Sequence, residues 1–302
     1  MQVPFQQVDV FTDRPFAGNP LCVVPDGTGL STEQMQAIAK EMNLSETTFV
    51  LPPTDSKATY WMRIFTPAQE IPFAGHPSVG TAYVMACAGR FPLKEPVTQI
   101  FQQVGIGTLP LDIEVVGGRP GQVIMTQGEP SFGGVLRDLS PVADALGLDS
   151  MTLARANRPI QVVSTGLGHL MVPLPDLESM RSLRPNFSAL DMLLKGCGAL
   201  GCYLFCLETT SPEAFAHARM FAPGAGVPED PATGSAAGPL GAYLAIHGVL
   251  PRERTSFVIE QGLEMGRPSR IWVGLSRDAT GMPTTIRVGG TTVPVIRGTI
   301  QV

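Results

Sequence analysis

The chain has 302 residues, 44% hydrophobic and 16% charged, with a formal net charge of −5 and a pI near 5.4. That length exceeds the usual single-core size and predicts two domains of roughly 150 residues each. The acidic balance, with no Lys/Arg-rich face, argues against a nucleic-acid partner. No apolar run reaches the roughly 18–20 residues that span a bilayer, so no membrane association is expected.

In chain order, Phe5–Phe11 alternates as a first strand, Arg14–Pro20 is a turn by composition, and Leu21–Val24 is the partner strand. Ser31-Thr32-Glu33-Gln34 has the capping-box pattern, with Met35, Ile38, Ala39 and Met42 following at helical spacing and Asn43 as the helix end. Ser45–Leu51 reads as a strand with Glu46, Thr48 and Val50 on one face, and Trp61–Phe65 as another. The turn at Phe73–Pro77 opens an Ala-rich helix over Ser78–Ala88. Strands are then expected at 99–101, 109–116, 123–126, 161–164 and 169–172, with Gly117-Gly118 and Gly289-Gly290 as hairpin turns. Pro141–Leu146 reads as a short helix capped by Ser140, and Ala189–Lys195 as a second. Cys202, Leu204 and Cys206 alternate in a buried strand, and Asp230–Gly234 opens a second Ala-rich helix that ends near Gly248. Both Ala-rich helices are apolar all round, which predicts burial of each within its own half's sheet.

Five cysteines, without CxxC pairing, and an opening Met1–Phe5 without a leader pattern predict a cytoplasmic protein with reduced thiols. Arg63-Ile64-Phe65-Thr66-Pro67 through Ile71-Pro72 is echoed 156 residues later by Arg219-Met220-Phe221-Ala222-Pro223 through Val227-Pro228. Each copy is followed by a Gly/Pro turn into an Ala-rich helix, with His76 in one turn and Asp230 in the other. A duplicated scaffold that keeps its turns and diverges in its ionisable residues predicts a site built from both halves.

A Gly-rich turn entering a helix leaves backbone N–H groups unpaired at the positive end of the helix dipole. Gly75 at one helix start, and Gly234 and Ser235 at the other, could therefore hold a small anion, most simply a carboxylate; ordinary capping is the competing reading. Neither a phosphate-binding loop nor a dinucleotide fingerprint is present, so no nucleotide is indicated. The setting of Ser235 does not fit a hydrolase nucleophile elbow, and the four histidines make no metal-binding spacing. Glu46 enters its strand from the polar cluster Asn43–Thr48, where desolvation could make it a proton-transfer group. An exposed strand-entry glutamate is the alternative.

Together these segments resemble the PhzF-like family, within the diaminopimelate-epimerase-like fold. The matching stretches are Val8–Asp13, Phe16–Leu21, Met42–Val50, Phe65-Thr66-Pro67, Pro72–Pro77, Val163–Gly166, Glu229–Ala236, Gln261–Ser269 and Val288–Gly290, in family order along the chain. The resemblance implies an α+β fold of two pseudo-symmetric domains, each a β-barrel-like sheet around a central apolar helix. The expected domains are 1–118, completed by about 288–302, and 119–287, with the active site in the cleft between them. A cofactor-independent homodimeric isomerase without metal is implied, moving a proton within a small, cyclic carboxylic or amino acid. Glu46 is the implied proton shuttle, His76 and Asp230 its assistants, and Asn19, Ser45, Gly75, Gly234 and Ser235 substrate-binding positions. Arg14 and His169 could also line the cleft. Epimerases and racemases of this fold use two thiols at the helix starts, positions that fall near Ala74 and Pro231 in this chain, and none of the five cysteines lies there. Racemisation, epimerisation or dehydration of hydroxy or amino acids, or metabolite binding without catalysis, are the alternatives.

Overall fold

In the computed structural model, which describes residues 1–302, the chain is a mixed α/β protein of 18 strands and seven α-helices. It divides into two compact units, Met1–Thr126 with Gly289–Val302, and Gln127–Val288. The first holds β1 (Gln2–Val10), β2 (Asn19–Val24), α1 (Thr32–Met42), β3 (Glu46–Leu51), β4 (Tyr60–Phe65), β5 (Glu70–Ile71) and α2 (Gly75–Cys87). Strands β6 (Val97–Val104), β7 (Gly107–Val116) and β8 (Arg119–Thr126) complete its N-terminal part. The second begins with β9 (Ser131–Leu136), α3 (Ser140–Leu146), α4 (Ser150–Arg155), β10 (Ile160–Ser164) and β11 (Gly168–Pro173). It continues through α5 (Leu177–Ser182), α6 (Phe187–Cys197), β12 (Gly201–Cys206), β13 (Ala216–Ala222), β14 (Val227–Asp230) and α7 (Gly234–Ile246). Strands β15 (Ser256–Gln261), β16 (Ser269–Arg277) and β17 (Pro283–Gly290) follow, and β18 (Thr292–Gln301), a strand of the first unit, pairs antiparallel with β1.

The pairing pattern is written twice. In the first unit β1–β2 is antiparallel, β2–β3 parallel, β3–β4 antiparallel and β4–β6 parallel. In the second, β10–β11, β11–β12, β12–β13 and β13–β15 repeat the same order of directions. A parallel neighbour needs a crossover. The first unit supplies it with α1, the second with α5 and α6. The capping box of α1 forms as expected, with Ser31 and Gln34 each serving the other's backbone N–H, and Asn43 closes the helix in the left-handed region at φ 51°.

Helix α2 is buried along almost its whole length and packs against β1, β2, β3, β7, β8 and β18. Its Gly80 is required by close approach. A Cβ there would lie 2.7 Å from both Leu21 Cδ2 and Val10 Cγ2, so any side chain would push the helix off the sheet. Helix α7 is buried in the same way and packs against β10, β11 and β16. On the other face of the second unit's strands, α3, α5 and α6 cover Leu170, Val172, Cys202, Leu204 and Cys206, a larger apolar layer than one apolar helix per half had implied. All five cysteines are free thiols. No helix is long and apolar enough to cross a membrane.

Two local expectations are corrected. Ser140 lies inside α3 and Leu139 is its N-cap, because Asp138 Oδ1 accepts the Ser140 N–H at 3.0 Å and takes over the polar role. Gly117 and Gly118 form the expected β7–β8 hairpin, at φ 59° and 71°. Gly289 and Gly290 make no hairpin turn; they end β17, where a Cβ would press on Val123 O at 2.6 Å and Phe11 Cδ1 at 2.5 Å respectively.

His217 on β13 lies fully buried between two carboxylates, Nδ1 to Glu260 Oε1 and Nε2 to Glu264 Oε1, both 2.9 Å. Burial opposes its charge, but the two carboxylates outweigh burial and hold the imidazolium up to about 9. Burial likewise works to raise Glu260 and Glu264, and their bonds to His217, with the Thr210 and Ser211 N–H groups on Glu260, bring both below the usual carboxylate range. The imidazolium contribution is full below the unfolded histidine value near ~6.5 and is lost as pH rises through about 9. The carboxylate contribution is full above ~4.3 and is lost on acidification. Denaturant unfolding should therefore give a stability that declines between pH 7 and 9.5, and His217→Gln should be less stable at pH 6 and lose that slope. An equal slope in the variant contradicts the assignment.

Candidate active site

Glu46 is delivered by the end of α1. The left-handed Asn43 turns the chain, its N–H returning to Ala39 O at 3.2 Å, and Leu44-Ser45 lead directly into β3. Strand β3 runs parallel to β2 with Glu46 opposite Leu21, so Asn19, at the head of β2 and fully buried, is two residues away along the neighbouring strand. Gly18, at φ +63°, sets that head, since a side chain there would collide with the Val10 carbonyl. The preceding loop is tied down where Phe16 N–H donates to the buried Asp9 Oδ2 at 2.7 Å.

Residues 46, 48 and 50 share one face of β3 by strand alternation. Thr48 shows what that face meets: its hydroxyl lies 2.8 Å from Thr81 Oγ1 on α2 and 3.4 Å from the Cys22 carbonyl. This buried hydrogen bond fixes the longitudinal register of α2 on β3. Five residues earlier on that helix, His76 Nε2 stands 3.3 Å from Glu46 Oε2, with side-chain exposures of 6% and 15%. Burial pushes His76 down to about 3, so the imidazole is neutral and its contact with the Glu46 carboxyl is not an ion pair.

The start of α2 has no side-chain cap. Ala74 is the N-cap, Ser78 Oγ donates back to the Ala74 carbonyl at 3.0 Å, and Pro77 has no N–H to offer. The Gly75 and His76 N–H groups are the first-turn donors that an α-helix cannot satisfy internally. Ser45 precedes Glu46 in the turn and is half-buried.

The second unit arranges its own helix start. Asp230 closes β14, and its Oδ2 accepts from Thr233 Oγ1. Gln261 Nε2 donates to Asp230 O at 2.7 Å and to Thr233 Oγ1 at 3.0 Å, while its Oε1 accepts from Thr233 N–H at 3.1 Å and Tyr203 Oη at 2.9 Å. With its hydroxyl engaged by Asp230 and Gln261, Thr233 is the N-cap residue of α7 but gives no side-chain cap. Gly234 and Ser235 then occupy the first two helical positions, with Gln127 Nε2 holding Gly234 O at 2.9 Å and Thr165 Oγ1 holding Gln127 Oε1 at 2.6 Å. Sequence reasoning assigned no role to Thr233, Gln261, Thr165 or Gln127. The first three lie in stretches that carried the resemblance; Gln127 gave no signal.

The strand registers also correct the duplication. Arg63 forks onto Glu70 at 2.7 and 2.6 Å, and Arg219 onto Glu229 at 2.8 and 2.9 Å, each guanidinium 5.1 Å from the ring of the phenylalanine two residues on. The arginines are 156 apart but the glutamates 159 apart (229 − 70), because the second copy carries a 3-10 turn at Pro223–Ala225. Helix starts Gly75 and Gly234 share the 159 offset. The counterpart of His76 is therefore Ser235, and Asp230 corresponds to Ile71; the histidine and aspartate are not equivalent positions. On the strands, Phe49 pairs Arg63 and Leu204 pairs Arg219, so Glu46 corresponds to Gly201. A side chain at Gly201 would meet the end of the Met220 side chain, which would have to shift, and the second copy carries no acid at this position.

Comparison with known proteins places this geometry. The family described as phenazine biosynthesis-like protein, PhzC-PhzF, matches residues 8–298. The chain belongs to that family. Similar curated proteins include an uncharacterised isomerase of Clostridium acetobutylicum, 34% identical over 295 residues, covering 96% of this chain and 95% of that one. The trans-2,3-dihydro-3-hydroxyanthranilate isomerase of Pseudomonas chlororaphis is 36% identical over 293 residues, 97% of each chain. The crystal structure of a Bacillus anthracis phenazine biosynthesis protein of the PhzF family superposes with a TM-score of 0.89 at 31% identity, covering 100% of both chains. The protein is thus an isomerase of the PhzC-PhzF family. Ala74 and Thr233, the two helix N-caps, carry no thiol.

The state of His76 is directly measurable. Imidazole 15N NMR should show it neutral from pH 8 down to pH 5, because burial holds it down to about 3. Titration of that ring near 6.5 contradicts the described environment.

Proposed function

We propose that the protein is a proton-shifting isomerase that works on a small cyclic carboxylic or amino acid with Glu46 as the acid/base. The observation that carries this is the 3.3 Å approach of His76 Nε2 to Glu46 Oε2 at a nearly buried helix start. Glu46 as carboxylate takes a proton from one ring carbon, the C–H electron pair moves into the adjacent double-bond system, and the same carboxyl returns the proton to a second carbon. Atoms and charge balance without an outside oxidant or reductant. The neutral His76 offers an N–H to steady the Glu46 carboxyl or the substrate's polar group. Gly75 N–H and the N–H groups of Gly234 and Ser235 are proposed anion donors. Asp230, Asn19 and Ser45 are proposed substrate contacts.

The name of the Pseudomonas chlororaphis relative makes trans-2,3-dihydro-3-hydroxyanthranilate the first substrate to try. Closure of each unit's sheet around its buried helix, a homodimeric particle, a cytoplasmic location and independence of metal and organic cofactors belong to the same proposal. A thiol-pair racemase is disfavoured by Ala74 and Thr233 at the N-caps.

The test is deuterium incorporation from D2O into a panel of cyclic carboxylic and amino acids headed by that compound. Wild type should exchange one substrate proton and isomerise, and Glu46→Gln should lower the rate by about 10²–10⁴-fold with the fold intact. Exchange that is unchanged in Glu46→Gln removes the assigned role. Light scattering that finds only monomer at working concentration removes the homodimer.

A further inference from the structure

His169 stands on β11 with no exposed surface, and neither of its ring nitrogens has a hydrogen-bond partner. Buried polar groups are nearly always paired, and leaving them unpaired is costly. Its strand neighbours show which way it faces. Leu170 and Val172 pack into the apolar layer under α3, α5 and α6, together with Cys202, Leu204 and Cys206 of β12. By strand alternation His169 lies on the opposite face, the side of Tyr203 and Phe205. That is the side of α7: Phe205 meets the Tyr243 ring at 5.4 Å.

Two sets of contacts fix the level along the helix. At the C-terminal end of α7, Tyr243 Oη donates to Pro159 O at 2.6 Å and His247 Nε2 lies 2.9 Å from Gln161 Oε1. At the N-terminal end, Thr165 and Gln127 reach Gly234 O. Strand β10 thus runs from the helix end to the helix start, and His169 pairs with Val163, near the start. The unpaired imidazole sits on the inner face, level with the first turns of α7.

The first unit shows what the fold alone would put there. Leu21 pairs with Glu46 as His169 pairs with Gly201, and Glu46 and Gly201 are equivalent, so His169 corresponds to Leu21. One half keeps a leucine packed on its helix, and the other keeps a histidine with two unmet nitrogens in the same layer. Burial also pushes His169 down to about 4, so it holds one N–H and one lone pair at neutral pH.

We infer that His169 is a substrate-contacting residue of the second unit, donating a ring N–H to the carboxylate-bearing ligand gathered at the start of α7. The inference rests on the proposed function for the ligand class. It assigns the histidine to binding at the cost of stability, and this separates it from a structural histidine.

The experiment uses the full-length protein, wild type, His169→Leu and His169→Asn, with 2-aminobenzoate as probe, a ring carboxylate with no proton to shift. Thermal melting, calorimetric affinity and imidazole 15N NMR are read on each. His169→Leu should melt at or above wild type, because leucine is the residue the equivalent site uses, and should bind the probe about tenfold to a hundredfold more weakly. His169→Asn should recover part of the affinity, and the wild-type His169 signals should move on saturation. A lower melting temperature with unchanged affinity makes the histidine structural and overturns the inference. Signals that move for His76 and stay still for His169 overturn it while leaving the proposed function standing. If saturating probe moves neither, both fall. Where a variant loses stability and affinity together, the wild-type His169 signals decide.

Discussion

A helix buried on all sides can satisfy its backbone internally everywhere except at its ends. That constraint organises both units. Helices α2 and α7 are apolar almost throughout and packed into their own strands, so their first turns are where unpaired N–H groups and the positive dipole end must be met by something else. Neither helix start is given a side-chain cap. In the first unit the Thr48–Thr81 hydrogen bond sets α2 against β3 and so brings His76 to Glu46. In the second, Gln261 ties Asp230 to Thr233 and keeps the threonine hydroxyl away from the helix it precedes.

The duplication explains the scaffold and not the chemistry. Strand directions, the Arg–Glu forks and the arginine–phenylalanine stacks repeat at matching places. At the candidate positions the copies part: Glu46 corresponds to a glycine in the other copy, His76 to a serine, and Leu21 to a histidine. The end of the Met220 side chain lies over Gly201, so a side chain there would require Met220 to move. A carboxyl present in one copy and replaced by glycine in the other fits one base that takes and returns a proton better than a symmetric pair.

Much of this was legible in the residues. Periodicity and capping found α1 to its αL end, the strand face of Glu46, and both apolar helices, since those signals are local. The echoed Arg-x-Phe segments gave the duplication, but a three-residue 3-10 turn shifts everything after it, so the turns that hold His76 and Asp230 do not align position for position. Gly289 and Gly290 read as a turn from composition, while their real constraint is contact with Val123 and Phe11, which are distant in sequence. Side chains that act through long-range hydrogen bonds, Gln127 and Gln261 above all, left no local pattern to find. The role of Glu46 came from family resemblance; its neighbour at 3.3 Å came from the fold.

The proposed chemistry has one carboxyl, that of Glu46, moving the proton. Its most direct measurement is a single turnover in H2O, enzyme in excess, with substrate deuterated at the carbon that loses its proton. Transfer by Glu46 alone predicts that part of the deuterium appears at the accepting carbon of the product at the earliest quench times. Complete replacement by solvent hydrogen at every quench time, as delivery by a separate base would give, contradicts the account.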